Sequence, residues 1–124
     1  MSGRVVHFEL PVDDQDRAKT FYAESFGWGL AGVPGMPYTM ATTTPSGDRG
    51  PTEPGAINGG MAERGGPITA PVITIEVDDI DAALATVERH GGKTVQGRAQ
   101  VGDMGFTGYF EDTEGNVVGL WQTA

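Results

Sequence analysis

Two stretches of the chain repeat one order of apolar and polar positions at a separation of 65 residues. Residues 7–28, HFELPVDDQDRAKTFYAESFGW, and residues 72–93, VITIEVDDIDAALATVERHGGK, both run from a half-apolar segment through an Asp-Asp pair into apolar positions at helical spacing. Six of the 22 aligned positions are identical. Self-similarity at a fixed spacing indicates a repeated structural unit. The pattern therefore predicts two copies of one strand–helix module.

The helix of each module is predicted to begin at its acidic pair and to end at glycine. An aspartate at a helix start accepts backbone N–H bonds and lies at the positive end of the helix dipole, and glycine tolerates the backbone of a helix end. Gly27 and Gly91–Gly92 occupy these ends. The predicted apolar stripes consist of Ala18, Phe21, Tyr22 and Phe26 in the first helix and Ile80, Ala83, Leu84 and Val87 in the second.

Short strands precede and follow each helix, which predicts an α+β fold of two tandem βαβββ modules. The predicted strands are Val5–Pro11, Trp28–Leu30, Pro37–Thr43 and Gly55–Ala62, then Val72–Val77, Thr94–Gln100, Gly105–Glu111 and Asn116–Gln122. Residues 44–54 (TPSGDRGPTEP) are polar and rich in Pro and Gly, which predicts a surface loop without regular structure. We expect a single domain over residues 1–124, with module one at about 4–62 and module two at about 70–122.

Composition and net charge exclude several classes of partner and of chemistry. The 124 residues include 8 Lys and Arg against 17 Asp and Glu, a formal charge of −9. Such a chain repels phosphate backbones, so neither nucleic acid nor an anionic membrane surface is an expected partner. Cysteine is absent from the sequence, which excludes disulfides and thiolate metal ligands. Without a signal-like apolar start or a run of about 20 apolar residues, the expected location is the cytoplasm.

Several segments together resemble the vicinal oxygen chelate superfamily, which includes glyoxalase I, extradiol dioxygenases and the bleomycin- and fosfomycin-resistance proteins. They are HFELPVDD, DRAKTFYAESFGW, AINGGM, IEVDDIDAALATVERHGG and FEDTEGNVVGLWQ. The nearest resemblance is to small bacterial glyoxalase-related proteins. It implies that the two modules form a curved sheet around a cleft, that a small molecule binds there, and that the chain forms a homodimer. In the enzymes of this superfamily, side chains on the first and fourth strands of each module hold a divalent metal.

Transferring those four metal positions onto this chain gives a poor set of donors. The first strands contribute His7 and Val72, and the fourth strands contribute Gly59 and Gly119. Hard divalent cations need several oxygen or nitrogen ligands. We therefore expect no metal cofactor. The resemblance then favours a small-molecule-binding protein that sequesters its ligand, or one that transfers a proton without metal with His7 as the base.

Strand alternation selects the candidate site residues. His7 and Glu9 share one face of the first strand, because side chains alternate at a period of two, and they are the catalytic candidates. The two glycines would clear space for an organic ligand, while aromatic and thioether side chains on or next to the same strands would line the cleft; Tyr38 belongs to this second group. The expected ligand-binding residues are His7, Glu9, Met40, Gly59, Met61, Thr74, Glu76, Phe106, Tyr109, Gly119 and Trp121.

Other interpretations remain open on the sequence. The chain could be a divalent-metal-dependent lyase, isomerase or dioxygenase of the same superfamily, similar to lactoylglutathione lyase. His7, Glu9 and Glu76 could form a metal site of another kind, or these polar residues could serve packing alone. A purely structural or regulatory partner protein without a ligand is a further alternative. The sequence does not decide whether the protein catalyses a reaction.

Overall fold

A computed structural model describes residues 3–124 of the chain. Its elements are β1 (Val5–Val12), α1 (Gln15–Phe26), β2 (Gly29–Gly32), β3 (Tyr38–Thr42), β4 (Ser46–Gly47), β5 (Gly50–Pro51), β6 (Gly59–Glu63), β7 (Val72–Glu76), α2 (Ile80–Arg89), β8 (Lys93–Val101), β9 (Gly105–Glu111) and β10 (Val117–Thr123). They form two compact units, His7–Pro71 and Val72–Ala124, the second together with residues 3–6. The predicted α+β fold class and the strand–helix–strand order of each module are confirmed.

In the unit His7–Pro71, four strands are joined in the order β2-β3-β6-β1. β1 and β6 are parallel, whereas β6–β3 and β3–β2 are antiparallel. Met61, Thr39 and Ala41 are buried in this unit. α1 begins where the Asp14 carboxylate accepts the backbone N–H of Arg17, and it ends at Gly27 with a left-handed φ of 73°. Both helix ends therefore follow the sequence prediction.

Polar contacts hold much of α1, whose side chains are all at least partly exposed. Gln15 donates from Nε2 to the carbonyls of Pro37 (3.0 Å) and Met61 (3.3 Å), and its Oε1 accepts the hydroxyl of buried Thr39 (2.8 Å). Phe21 and Phe26 are 57% and 66% exposed. The expectation of a buried apolar stripe on this helix is therefore wrong at these two phenylalanines.

In the unit containing Val72–Ala124, four strands are joined in the order β7-β10-β9-β8, with β7 and β10 parallel and the other pairs antiparallel. α2 begins where Asp79 accepts the N–H of Ala82 at 3.1 Å. Its stripe is buried as predicted, since Ile80 and Leu84 pack with Leu120. The hydrophobic side chains packed around this core are Ile75, Val77, Ala83, Phe106 and Phe110.

The segment between β3 and β6 contains regular structure that its composition did not predict. β4 and β5 form a short antiparallel hairpin within residues 44–54. Asn58 anchors it, because its Nδ2 donates to the Ser46 hydroxyl (2.7 Å) while its Oδ1 accepts the N–H of Thr43 (2.9 Å). Neither of the two helices described has the length and apolarity needed to span a membrane.

Candidate functional site

Strand register shows which glycines are equivalent in the two modules. Glu9 pairs with Gly60 between β1 and β6, and Thr74 pairs with Gly119 between β7 and β10. Because Glu9 and Thr74 are related by the 65-residue shift, Gly60 is the counterpart of Gly119. The sequence comparison placed this counterpart at Gly59, one residue too early. The four positions transferred from the metal-dependent enzymes are therefore His7, Gly60, Val72 and Gly119.

Gly59 and Met61 lie on the opposite face from His7. A Cβ at Gly59 would meet the ring of Phe8, whose ring centroid is 5.7 Å from that of Trp28. Met61 follows at the same phase of β6 and is 0% exposed. The expectation that these two residues share the face of His7 is thus corrected, since a shift of one residue along a strand reverses its faces.

Phe106 is also misplaced by the sequence prediction. Its ring packs against the core of Ile80, Leu84 and Leu120, on the side of the sheet covered by α2. The Arg98 guanidinium lies 4.7 Å from the centre of the same ring. Phe106 is therefore part of the helix-side core and does not share the face of Thr74 and Gly119.

One strand face of the unit His7–Pro71 brings together polar and thioether side chains; we call it the His7 face. It comprises His7, Glu9, Tyr38, Met40 and Gly60. Nε2 of His7 lies 2.9 Å from the hydroxyl of Tyr38. The Tyr38 ring extends over Gly60, where a Cβ would overlap it. Met40 pairs with Gly60 and is 44% exposed, so this face also offers an accessible thioether.

Tyr38 is the residue that sequence reasoning undervalued. The sequence placed it among lining side chains and gave no reason to join it to His7, which is 31 residues away. Alternation along β3 puts Tyr38 and Met40 on one face, and the sequence alone predicts this. Local sequence pattern does not predict that β3 pairs with β6, because the whole fold determines which strands are partners. It therefore does not predict that the Tyr38 phenol extends across Gly60.

Burial and the charge of Glu9 shift the pKa of His7 in opposite directions. Burial lowers the pKa of His7 below its usual value, because the charged imidazolium loses solvation, while the Glu9 carboxylate raises it by a smaller amount. The net direction is downward. The ring is therefore neutral at pH 7, with one nitrogen as donor and the other as acceptor. Glu9 itself is only 8% exposed.

A second polar group occupies one face of the unit containing Val72–Ala124. Thr74 and Tyr109 are both 6% exposed and flank Gly119, where a Cβ would lie 2.9 Å from the Thr74 hydroxyl and 3.4 Å from the Tyr109 ring. Trp121 pairs with Glu76 farther along the same face. Glu76 forms an ion pair with Arg4 at 3.2 Å. Thr74, Glu76, Tyr109, Gly119 and Trp121 therefore share one face of this unit, and Met40 belongs to the His7 face of the other unit.

The donors do not fit a divalent metal held in the manner of the metal-dependent enzymes. Two of the four positions are glycines and one is Val72, which is 3% exposed, so His7 is the single side chain of the four able to coordinate. Among residues 3–124, no group of three or more His, Asp or Glu side chains could hold a metal ion.

The paired βαβββ modules define a fold class, and comparison with known proteins defines the family. The chain belongs to the Glyoxalase/Bleomycin resistance protein/Dioxygenase superfamily, whose family model matches residues 4–120. It is similar to the putative glyoxylase CFP32 of Mycobacterium bovis, with 36% identity over 122 residues covering 92% of this chain. A glyoxylase-like domain-containing protein of Didymella fabae is 30% identical over 122 residues, covering 94% of this chain and 91% of that protein.

Solved structures share the fold at low sequence identity. Methylmalonyl-CoA epimerase from Mycobacterium tuberculosis has a TM-score of 0.67 at 16% identity, with 98% of this chain and 88% of that chain covered. A methylmalonyl-CoA epimerase in complex with methylmalonyl-CoA and NH4+ has a TM-score of 0.68, also at 16% identity, with 100% and 96% covered. The chain spans only 43% of the length of its mycobacterial CFP32 relatives.

Proposed function

We propose that this glyoxalase-like protein binds a small organic ligand at the His7 face without a metal, through the pair formed by His7 and Tyr38. The supporting observation is the 2.9 Å distance between Nε2 of His7 and the Tyr38 hydroxyl, beside the buried carboxylate of Glu9. A neutral imidazole bonded to a phenol presents a donor or an acceptor to a ligand oxygen, depending on the tautomer. Such a pair can orient a carbonyl or hydroxyl group.

The same pair could move a proton. With Nε2 as the acceptor, the Tyr38 oxygen takes a proton from an acidic ligand C–H or O–H while its own proton passes to Nε2. The ligand keeps the bonding electron pair as an anion, and the imidazolium formed on His7 is stabilised by the carboxylate of Glu9. His7 then acts as the base through Tyr38. The reverse transfer regenerates the neutral pair.

The volume taken by Tyr38 supports a function without metal. A side chain at position 60, where a metal-dependent relative would carry a ligand, would overlap the Tyr38 ring. The phenol also engages Nε2 of His7. Binding a metal here would require Tyr38 to leave and at least two further donors to arrive.

The lining favours a mainly apolar ligand with few polar anchors. Met40 and Tyr38 supply thioether and aromatic surface, and His7 with Tyr38 supplies the hydrogen bonds. The similarity to methylmalonyl-CoA epimerases concerns the fold alone, at 16% identity. Acyl thioesters therefore form one arm of a ligand screen, next to apolar carbonyl compounds and phenols.

A ligand screen by thermal shift in the presence of EDTA, followed by calorimetry on the best compound, tests this proposal. Tyr38→Phe keeps the ring and removes one hydrogen bond, so we expect affinity to fall roughly fivefold. His7→Ala removes the imidazole and with it the contact that orients the Tyr38 hydroxyl, so we expect ligand binding to weaken by about tenfold or more. His90→Ala is the matched control, because His90 is exposed and bonds to the carbonyl of Thr86 at 2.8 Å.

Two results would overturn the proposal. Unchanged ligand affinity in both His7→Ala and Tyr38→Phe would show that this pair does not bind the ligand. Stoichiometric Ni, Zn, Mn or Fe retained after dialysis and required for binding would favour the metal-dependent alternative.

A further inference from the structure

Asn58 and Gly59 form an Asn-Gly pair at the point where an irregular segment enters β6. In such a pair the backbone nitrogen of the glycine can attack the side-chain carbonyl carbon of the asparagine, because glycine has no Cβ to obstruct the approach. The chain has one other asparagine, Asn116, and the residue after it is Val117, whose branched Cβ crowds the corresponding nitrogen. Asn58 is therefore the asparagine of this chain that is best suited to modify itself.

We propose that Asn58 is a site of spontaneous deamidation, and that the contact of its side chain with Ser46 controls the rate. The Gly59 nitrogen forms a bond to Cγ of Asn58 and gives its proton to solvent, while the bond between Cγ and Nδ2 breaks and this nitrogen takes up a proton and leaves as ammonia. The five-membered succinimide that remains adds one water molecule at either carbonyl and opens to aspartate or isoaspartate. Water is the co-reactant, and nothing is oxidised or reduced.

Two hydrogen bonds restrain the Asn58 side chain against this reaction. Its Nδ2 donates to the Ser46 hydroxyl at 2.7 Å, and its Oδ1 accepts the N–H of Thr43 at 2.9 Å. Gly59 is the first residue of β6 and pairs with Ala41 of β3. Attack therefore needs a local opening in which the side chain leaves Ser46 and the end of the strand frays. Such openings at the ends of elements take much less free energy than global unfolding.

The products no longer anchor the hairpin of β4 and β5 in the same way. Both replace the Nδ2 donor by a carboxylate oxygen, and both add a negative charge to a chain whose formal charge is already −9. Isoaspartate also carries the main chain through its side-chain carbons, which lengthens the backbone by one atom between Ile57 and Gly59. The hairpin is therefore released from β6 most strongly in the isoaspartate form.

Strand register places this reaction beside the His7 face. Phe8 pairs with Gly59, and β1 and β6 are parallel. The residues one step earlier, His7 and Asn58, are therefore level with each other. Release of the hairpin there reduces ligand binding as the protein ages, a consequence that rests on the proposed function.

Peptide mapping of aged protein tests the deamidation itself. The full chain is incubated at mildly alkaline pH and then denatured and digested with trypsin, which yields residues 50–64 with Asn58 and residues 99–124 with Asn116. We expect aspartate and isoaspartate forms of the first peptide to accumulate at least about tenfold faster than any product of the second, because Val117 crowds the attacking nitrogen. Mass and isoaspartate content are measured without a ligand, so failure here is distinct from failure of the proposed function.

Ser46→Ala tests control by the side-chain contact. It removes the acceptor of the Asn58 amide and should speed deamidation roughly fivefold, the effect expected of one hydrogen bond. Ser46→Thr retains a hydroxyl and is the matched control, with a rate close to that of the wild type. Circular dichroism verifies that each variant is folded.

Trypsin under native conditions measures release of the hairpin. Arg49 lies in the turn between β4 and β5, where Gly47 pairs with Gly50. The isoaspartate form, separated by anion exchange, should be cut after Arg49 several-fold faster than the unmodified protein. Asn58→Asp carries the charge without the extra backbone atom and should be cut at a rate between the two.

The outcomes separate the parts of this proposal. An Asn58 peptide that stays unmodified in the folded protein overturns it, whether or not the urea-denatured chain reacts. Equal rates of deamidation in Ser46→Ala and the wild type would contradict control by Ser46. Equal cleavage after Arg49 in the isoaspartate and unmodified forms would show that the hairpin stays anchored.

Discussion

The ring of Tyr38 lies over Gly60, in the volume that a side chain at position 60 would need. A tyrosine in this position at residue 38 therefore requires glycine at residue 60. The hydroxyl of the same ring reaches Nε2 of His7 at 2.9 Å, so the small residue at position 60 also determines which group contacts the imidazole. Gly60 is accordingly a structural requirement of the proposed site, even though it has no side chain.

Gly60→Ala should destabilise the protein and disturb the contact between Tyr38 and His7. A Cβ at position 60 overlaps the phenol, and overpacking of this kind costs about 1–3 kcal/mol of unfolding free energy. Urea denaturation measures the loss. Combining Gly60→Ala with Tyr38→Ala should make the glycine replacement much less costly. Gly97→Ala, where a Cβ meets nothing within 4 Å, serves as the control.

The pH dependence of stability should report the burial of His7. Its folded pKa is lowered from the usual 6.5, mainly by burial, so the unfolded chain binds more protons in this range. The stability contributed by the neutral ring is complete above about pH 6.5 and is lost as pH falls toward the folded pKa. Between pH 7.5 and 5.5 the wild type should lose more unfolding free energy than His7→Gln.

An NMR titration of the same protein gives the direct measurement. The ring resonances of His7 should titrate below the ordinary histidine value. A His7 pKa at or above the ordinary histidine value would contradict this prediction, because it would mean that the effect of the Glu9 carboxylate outweighs that of burial.

Gln15→Ala should cost more unfolding free energy than the half-buried position of Gln15 in the first turn of α1 suggests. The Gln15 amide accepts the hydroxyl of Thr39, which is 1% exposed, and donates to two backbone carbonyls. Leaving the Thr39 hydroxyl without this acceptor costs about 1–3 kcal/mol. Chemical denaturation of Gln15→Ala against Gln15→Glu, which retains the acceptor, separates this contact from a general change in helix propensity. Equal stability of Gln15→Ala and the wild type would contradict it.

Asp112→Ala should loosen the turn between β9 and β10. The Asp112 carboxylate accepts the N–H groups of Glu114 (2.8 Å) and Asn116 (2.9 Å) and the Asn116 side-chain amide (3.0 Å). These bonds, led by the Asn116 side chain, lower the pKa of Asp112. Its contribution is therefore present above the unfolded pKa of about 3.9 and lost as pH falls through the folded value. We expect a lower melting temperature at pH 7 and a smaller difference from wild type at pH 3.

The sequence predicted the fold because local patterns determine it. The Asp-Asp pairs mark both helix starts, and Asp14 and Asp79 cap the helices as expected. The predicted strand Gly105–Glu111 matches β9 at both ends. The hairpin of β4 and β5 was missed because it depends on Asn58, a side chain several residues downstream of the polar segment.

The candidate site was only partly predictable because it depends on register between strands. His7 and Glu9 follow from alternation along one strand, whereas Gly60 in place of Gly59 requires the pairing of two strands. Phe106 was assigned to the wrong face because its chemistry suits a ligand pocket and a core equally well. Aromatic composition does not distinguish these two environments.

The shallow attachment of α1 has a consequence for turnover of the protein. A helix without a fully buried side chain can detach at little energetic expense, so a protease would first gain entry there.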